Sequence, residues 1–457
     1  MDNNSKVELF ERMPLMRAIT KLTVPTIISC LVMIIYNLAD TYFVGMLNDP
    51  IQNSAVTLAA PVLLAFNAIN NLFGTGGASM MSRAMGRKDF DTVSRSSAFS
   101  FYGAIFSGLL LAIGCTVFMN PLLNLLGSDS STIEATRDYL IWTTSFGAVP
   151  SILNVVMANL VRSEGSSMHA GIGTITGCVL NIILDPIFIM PWGLNMGSAG
   201  AGLATMISNT VSCIYFLILI YVRRKSTWVC IKPRMFSLNP YIVKGVFGVG
   251  FPASIQNLLN VTGMTVLNNF TSVYGPDAIA AMGISQKINM IPMYIALGLA
   301  QGIMPLISYN YASGNHKRMK DGFKTTAIMT TMFLSITVVL CCIFSGNILR
   351  AFIDNDAVVA YGTRFLRGLC LATPFLAMDF LVVGVFQAIG KGGHSLVFAI
   401  LRKVVLEIPG LVILNMLFPL YGLTYAQAVA EVILSVLAVI IITRMFKKMN
   451  NHVPIPE

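Results

Sequence analysis

LTVPTIISCLVMIIYNLADTYFVG, residues 22–45, carries one charged side chain, Asp40. About 20 consecutive apolar residues are enough for a helix to cross the hydrocarbon core of a bilayer, so this stretch reads as a transmembrane helix. The residues ahead of it include Glu8, Glu11, Arg12 and Pro14 and hold no apolar core. No cleavable signal peptide is expected there, and the span itself directs insertion. Downstream the pattern recurs. Counting this first window at 17–44, apolar windows follow near 53–80, 92–118, 132–158, 167–190 and 198–222. Six more lie near 241–273, 277–308, 319–346, 358–386, 394–418 and 421–446. Windows longer than the bilayer is thick predict tilted helices or helix ends projecting into water.

The totals agree with that reading. Of 457 residues, 55% are apolar and only 11% charged, with a mean hydropathy of +0.73. Soluble chains carry about a quarter charged residues. The apolar surface exceeds what a water-soluble fold could bury, so lipid must cover it. Twelve spans leave room for short loops and no sizeable soluble domain.

A net charge of +10 does not point to nucleic acid, because the basic residues lie in short clusters between apolar runs. One side collects Lys6 to Lys21, Arg83 to Arg95, Arg162, the stretch 223–244, Lys317 to Lys324, then Lys391, Arg402 and Lys403, and finally Arg444 to Lys448. The other side has only Arg137, Arg350, Arg364 and Arg367, and Lys287 falls inside a span. Loops rich in Lys and Arg stay in the cytoplasm, so both termini are expected there. Eight cysteines are scattered, mostly in apolar runs, without metal-ligand spacing, and read as packing residues.

The two halves repeat. Pro25 and Pro252 open spans one and seven, and Gly86 and Gly314 follow spans two and eight. Pro150 and Pro374 lie in spans four and ten, and His169 and His394 open spans five and eleven. The separation is nearly the same in all four pairs, close to half the length of the chain, and unrelated coincidences would not hold so constant an offset. Six spans per repeat is an even number, so the repeats enter from the same side and are related by an axis along the membrane normal. The expected fold is an all-α membrane protein of twelve transmembrane helices in two pseudo-symmetric six-helix bundles. Its lobes are 1–222 and 241–457, joined by a cytoplasmic linker at 223–240.

Charges inside apolar spans cost about 2.5–3.5 kcal/mol each on insertion scales and call for a role. They are Asp40, Asp185, Lys287, Asp379, Glu407 and Glu431. Tyr36 and Asp40 lie four positions apart on one helix face, as do Asn181 and Asp185. Pro186 frees backbone carbonyls near Asn181. At about 1.5 Å per residue, Asp40, Asp185 and Thr205 all sit about 6–10 Å below the outer ends of their spans. Two carboxylates, an amide, a hydroxyl and a phenol therefore converge in the first half. Such an oxygen-rich set suits a proton or a small hard cation such as sodium, and a structural hydrogen-bond network is the competing reading.

In the second half, Lys287 is expected either to pair with Asp379, Glu407 or Glu431 or to meet substrate. Glu407, near the midplane, is the best placed of these acids to line a cavity. Five intramembrane acids against one lysine favour a cationic cargo. Among the 27 methionines, Met33 is the candidate for a flexible apolar contact with varied cations. GTGGASMMSRAMG, residues 74–86, lacks the P-loop pattern and reads as close helix packing. No HExxH or GxSxG occurs, and His169, His316 and His394 sit at cytoplasmic helix ends with His452 in the tail. An intramembrane enzyme is the alternative of a different class, and it lacks a catalytic constellation. Without a nucleotide-binding domain, any pump runs on an ion gradient.

Taken together, NLADTYFVG (37–45), MGRKD (85–89), NIILDPIFI (181–189), GAGLAT (200–205) and the duplicated plan make the chain resemble a known family. It is similar to the multidrug and toxic compound extrusion (MATE) family over nearly its whole length, most of all to the MepA-type and DinF-like bacterial branches. The resemblance implies alternating access between two lobes and export of small organic cations by antiport with H+ or Na+. It also implies a bacterial inner-membrane location and no cofactor. The family's amino-terminal cation site falls on Asp40, Asn181, Asp185 and Thr205, with Tyr36 beside it; these would be the metal ligands if sodium is the coupling ion. Another branch uses carboxylates in the second lobe. Asp379 matches one of them, but Gln256, in GFPASIQN, replaces an acid, so coupling is expected mainly through the first half. Gln256, Lys287, Asp379, Glu407 and Met33 are the candidate substrate-cavity residues. The expected unit is a monomer in the lipid bilayer, with no nucleic-acid partner. A lipid-linked oligosaccharide flippase of the same superfamily is the runner-up, and it would want a strongly cationic cavity.

Overall fold

The computed structural model describes residues 3–47, 49–353 and 355–450, the side chains of 3–5 and 450 excepted, so His452 lies outside the described residues. These residues are overwhelmingly helical, with no strand among them. A short α1 (Asn3–Glu11) precedes the long α2 (Leu15–Gly45). Then come α3 (Pro50–Gly86), α4 (Phe90–Val117), the short α5 (Met119–Leu125), and α6 (Ile133–Phe146) with α7 (Ala148–Ser163). The first half closes with α8 (Ser167–Ile189) and α9 (Gly197–Val222). An extended linker with one 3-10 turn, Pro233–Met235, leads into the second half. There lie α10 (Pro240–Ser272), α11 (Pro276–Ala312), α12 (His316–Arg350), α13 (Asp356–Ala388), α14 (392–417) and α15 (Gly422–Asn450).

Among the described residues, ten helices are long and apolar enough to cross a membrane, and α6 with α7, bent by 51°, adds an eleventh if the pair is one span. The remaining expected span, α14, carries Arg402, Lys403 and Glu407, and winds as a π-helix over Leu401–Glu407. π-turns also occupy Asn70–Thr75 in α3 and Ile141–Phe146 in α6.

Local chemistry sets the helix starts. Asp49 Oδ1 accepts from the Ile51 amide at 2.9 Å, with Pro50 in the first turn of α3. Asp89 caps α4 through the Thr92 amide at 3.1 Å, and Asn315 caps α12 through the Arg318 amide at 3.1 Å. Each of these two caps follows a residue with positive φ, Lys88 at 60° and Gly314 at 78°. The turns are thus equivalent with Lys88, not Gly86, opposite Gly314. The glycine-rich stretch 74–86 packs closely, as its sequence suggests. A Cβ on Gly76 would strike the Val246 carbonyl, and one on Gly77 would strike Ser100.

Two compact units emerge. The first holds the chain through Arg12 together with Ile28–Ser254; the second holds Met13–Ile27 and the chain from Ile255 onward. The chain therefore changes unit inside α2 and inside α10, at equivalent points of the repeat, just past Pro25 and Pro252 respectively.

Candidate functional site

In the first unit, α8 and α9 bring Asn181, Asp185 and Thr205 together. Asn181 is 1% exposed and Asp185 fully buried. With its nitrogen turned toward the carboxylate, the Asn181 amide donates to Asp185 Oδ2 at 2.9 Å and accepts from the Thr205 amide at 3.1 Å and the Thr205 hydroxyl at 3.3 Å. Pro186 lies within α8, and having no amide hydrogen it leaves the carbonyl four positions earlier without its helical donor. On α2, Tyr36 reaches the Thr205 side chain and has both Asp40 and Asp185 as electrostatic neighbours. Asp40 is partly buried, and its Oδ1 is enclosed without a hydrogen-bond partner among the described residues. The five residues predicted to converge do so.

Tyr139 of α6 is a sixth member that the sequence did not reveal. It is 4% exposed and has Asp40, Tyr36 and Asp185 as its charged and phenolic neighbours. A polar ladder continues one turn along α9. Asn154 donates to Asn209 at 3.1 Å, and Asn209 donates to Ser151 at 2.9 Å. Met33 is partly buried on α2, one to two turns from Asp40. Among the described residues no group of three or more His, Cys, Asp or Glu is placed to hold a metal ion. The donor set here is two carboxylates with neutral oxygens, a hard-oxygen set of the kind that takes up a proton or a hard cation.

The second unit holds a different arrangement. Arg402 and Lys403 were expected at the cytoplasmic side, yet they are 3% and 6% exposed. Arg402 pairs with Glu431 at 2.6 Å and Asp379 at 3.5 Å, and Lys403 pairs with Glu407 at 2.6 Å. Asn260 of α10 and the face of Phe380 complete the Arg402 shell. One oxygen each of Asp379, Glu407 and Glu431 stays buried without a hydrogen-bond partner among the described residues. Lys287 is exposed and forms no ion pair among the described residues, and the acids expected for it pair with Arg402 and Lys403 instead. Asp379, Glu407 and Glu431 thus face two buried bases, Arg402 and Lys403, which the sequence reading had placed with the loops. Gln256 accepts from Gln387 at 3.2 Å. Among the described residues neither Asp40 nor Asp185 forms an ion pair, whereas Asp379, Glu407 and Glu431 each pair with a base.

The sequence model of the MatE family matches twice, over residues 25–187 and 252–413, so that each match begins at one of the paired prolines. The chain is 33% identical over 435 residues to the multidrug export protein MepA of Staphylococcus aureus (strain MRSA252), covering 95% of this chain and 94% of that one. It is 32% identical, with the same coverage, to MepA of Staphylococcus haemolyticus (strain JCSC1435). The fold matches a multidrug resistance MATE family transporter of the MOP superfamily in an outward-facing conformation. That match has a TM-score of 0.93 and 24% identity, and it covers 99% of this chain and 100% of that one. A MOP superfamily transporter from Pyrococcus furiosus matches with a TM-score of 0.90 at 23% identity, covering 98% of this chain and all of that one. The duplicated helical plan and these matches make the chain a multi-pass bacterial membrane transporter, not an enzyme, and a member of the MatE (multidrug and toxic compound extrusion) family.

Proposed function

We propose that this transporter exports small organic cations by alternating access, in exchange for protons or sodium ions taken up at Asp40 and Asp185. The observation that carries the proposal is the pair of carboxylates in the first unit, the buried Asp185 bonded to Asn181 and the partly buried Asp40 with an enclosed oxygen that has no partner among the described residues. Two carboxylates this close in a low dielectric do not both ionise cheaply. One proton or sodium ion relieves the repulsion, and removing it restores an anionic site. The name multidrug export protein borne by relatives at 33% identity supports the cargo class. So does the surplus of intramembrane acids.

The driving force suffices. One pH unit supplies about 1.4 kcal/mol per proton, and each charge crossing 100 mV adds about 2.3 kcal/mol. One or two ions thus sustain a tenfold to hundredfold cation gradient. The topology that accompanies this reading has twelve spans and cytoplasmic termini, with lobes at 1–222 and 241–457. Moving Arg402 and Lys403 into a span leaves the lysine and arginine bias on the same side. The protein is proposed to act as a monomer in the bilayer, with no cofactor.

The test is transport of ethidium in proteoliposomes under an imposed pH gradient and, separately, a sodium gradient. Wild type is expected to respond to one of the two. Asp40→Asn and Asp185→Asn are expected to lose gradient-driven flux at least a hundredfold, about the cost of a buried charge partner, while remaining in the membrane. Full flux in both variants sinks the proposal, and no response to either gradient shifts the reading to the flippase.

A further inference from the structure

A groove of about 580 Å³ opens on the first unit, a volume in the range of small-molecule sites. Phe73 of α3, Phe99 and Phe106 of α4, Phe236 and Leu238 of the linker, and Phe247 of α10 line it. The linker forms one wall because it is fastened to α4. Tyr102 donates to the Ile231 carbonyl at 2.8 Å, and Phe236 stacks on Phe99 with ring centroids 6.1 Å apart. Phe106 and Leu238 are 67% and 70% exposed, so the groove is open along its length.

Its depth is fixed by α4. That helix begins FDTVSRSS, residues 90–97, and turns apolar from Ala98 onward. Phe99 and Tyr102 therefore stand where headgroup gives way to hydrocarbon. Three basic residues neighbour the groove-lining residues in the chain. Lys232 and Arg234 flank Pro233, itself part of the groove wall, and Lys244 lies one helical turn before Phe247 on the same face of α10. All three are exposed, and none has an ion-pair partner among the described residues.

We propose that this groove binds one acyl chain of an anionic phospholipid, whose phosphate rests on Lys232, Arg234 and Lys244. Acyl chains are as apolar as the side chains they would replace, so the aromatic wall alone selects no particular lipid. Selection comes from the headgroup, through basic residues at an anionic membrane surface. A bound lipid would hold the linker against α4. The leaflet assignment rests on the cytoplasmic linker proposed above; the binding itself does not.

The test places a tryptophan at the exposed groove edge, Leu238→Trp, in vesicles mixing brominated with ordinary lipid in both leaflets. The quenching of native tryptophans is subtracted using the parent protein. Because both leaflets carry the probe and no transport is read, a wrong topology or coupling scheme leaves the outcome unaffected. Brominated phosphatidylglycerol is expected to be preferred over brominated phosphatidylcholine by at least tenfold, a floor below the roughly thirtyfold that two surface cations at about 1 kcal/mol each would give. Adding Lys232→Gln, Arg234→Gln and Lys244→Gln is expected to bring the two lipids to parity. Equal quenching before those substitutions, or a preference surviving them, overturns the proposal. Displacement of the brominated lipid by ethidium also overturns it, since the groove would then belong to cargo.

Discussion

Arg402 shows what a single residue does inside this membrane protein. Its guanidinium bridges Glu431 and Asp379 with 4% of its side chain exposed. A buried pair contributes little net stability, because desolvation offsets attraction, but removing one partner strands the others and costs about 3–5 kcal/mol. Arg402→Met is therefore expected to lower the yield of folded protein and its thermal midpoint in detergent. Adding Glu431→Gln and Asp379→Asn to Arg402→Met should recover much of the loss; no recovery would show that shape, not charge, is what Arg402 supplies. The sequence misread this residue because Arg402 and Lys403 lie shortly after the turn at Gly390, within the slack of a hydropathy boundary. It could not see that α13 and α15 bring acids to them. Asp40, Asn181 and Asp185 were legible because i,i+4 spacing on one helix is local information. Tyr139 was not, since nothing in EATRDYL distinguishes it until α6 is placed beside α2.

At the scale of elements, α1 is held by chemistry unusual for a short terminal helix. Lys6 is 1% exposed, pairs with Glu164 at 2.8 Å and donates to the Ser226 carbonyl at 2.7 Å. Glu164 accepts in turn from Thr227 at 3.0 Å and from the Trp228 amide at 2.7 Å. Burial pushes the Lys6 ammonium below its ordinary range, against the upward pull of Glu164. Leu9 and Phe10, both fully buried, close over Gly165. This cluster fixes the start of the linker to the end of α7. Lys6→Met leaves Glu164 buried with hydroxyl and amide donors but no cation, and is expected to cost about 3 kcal/mol. The readout is faster proteolysis within 223–239 of purified protein, and unchanged cleavage would mean that the linker is held by its aromatic contacts alone. Approximate helix limits were readable from the apolar windows, and the structure adds the local caps Asp49, Asp89 and Asn315 that set them. The π-turns were not, because a π-turn needs only one extra residue per turn and has no composition of its own.

Over the whole molecule, duplication and division do not coincide along the chain. The repeats were visible as a nearly constant offset between paired residues, because corresponding turns and prolines keep their places in both copies. Hydropathy gave α2 and α10 as single spans, which covalently they are. It gave no hint that each passes from one compact unit to the other at Ile27/Ile28 and Ser254/Ile255, since that depends on which neighbours each half touches. The passage falls just after a proline in both helices. Proline removes the hydrogen bond to the residue four positions earlier and crowds its carbonyl, which makes these the softest points of two otherwise continuous helices. If the transport cycle moves the units, bending should concentrate there. Alanine at either site restores a helical hydrogen bond and relieves a penalty of up to about 3 kcal/mol. Pro25→Ala and Pro252→Ala are thus expected to hold or raise the thermal midpoint while slowing ethidium flux, with the double variant slower than either single one. Flux at the wild-type rate in the double variant, with the midpoint unchanged, would place the hinge elsewhere. A fall in midpoint would show that the prolines are needed for packing, and slowed flux would then say nothing about bending.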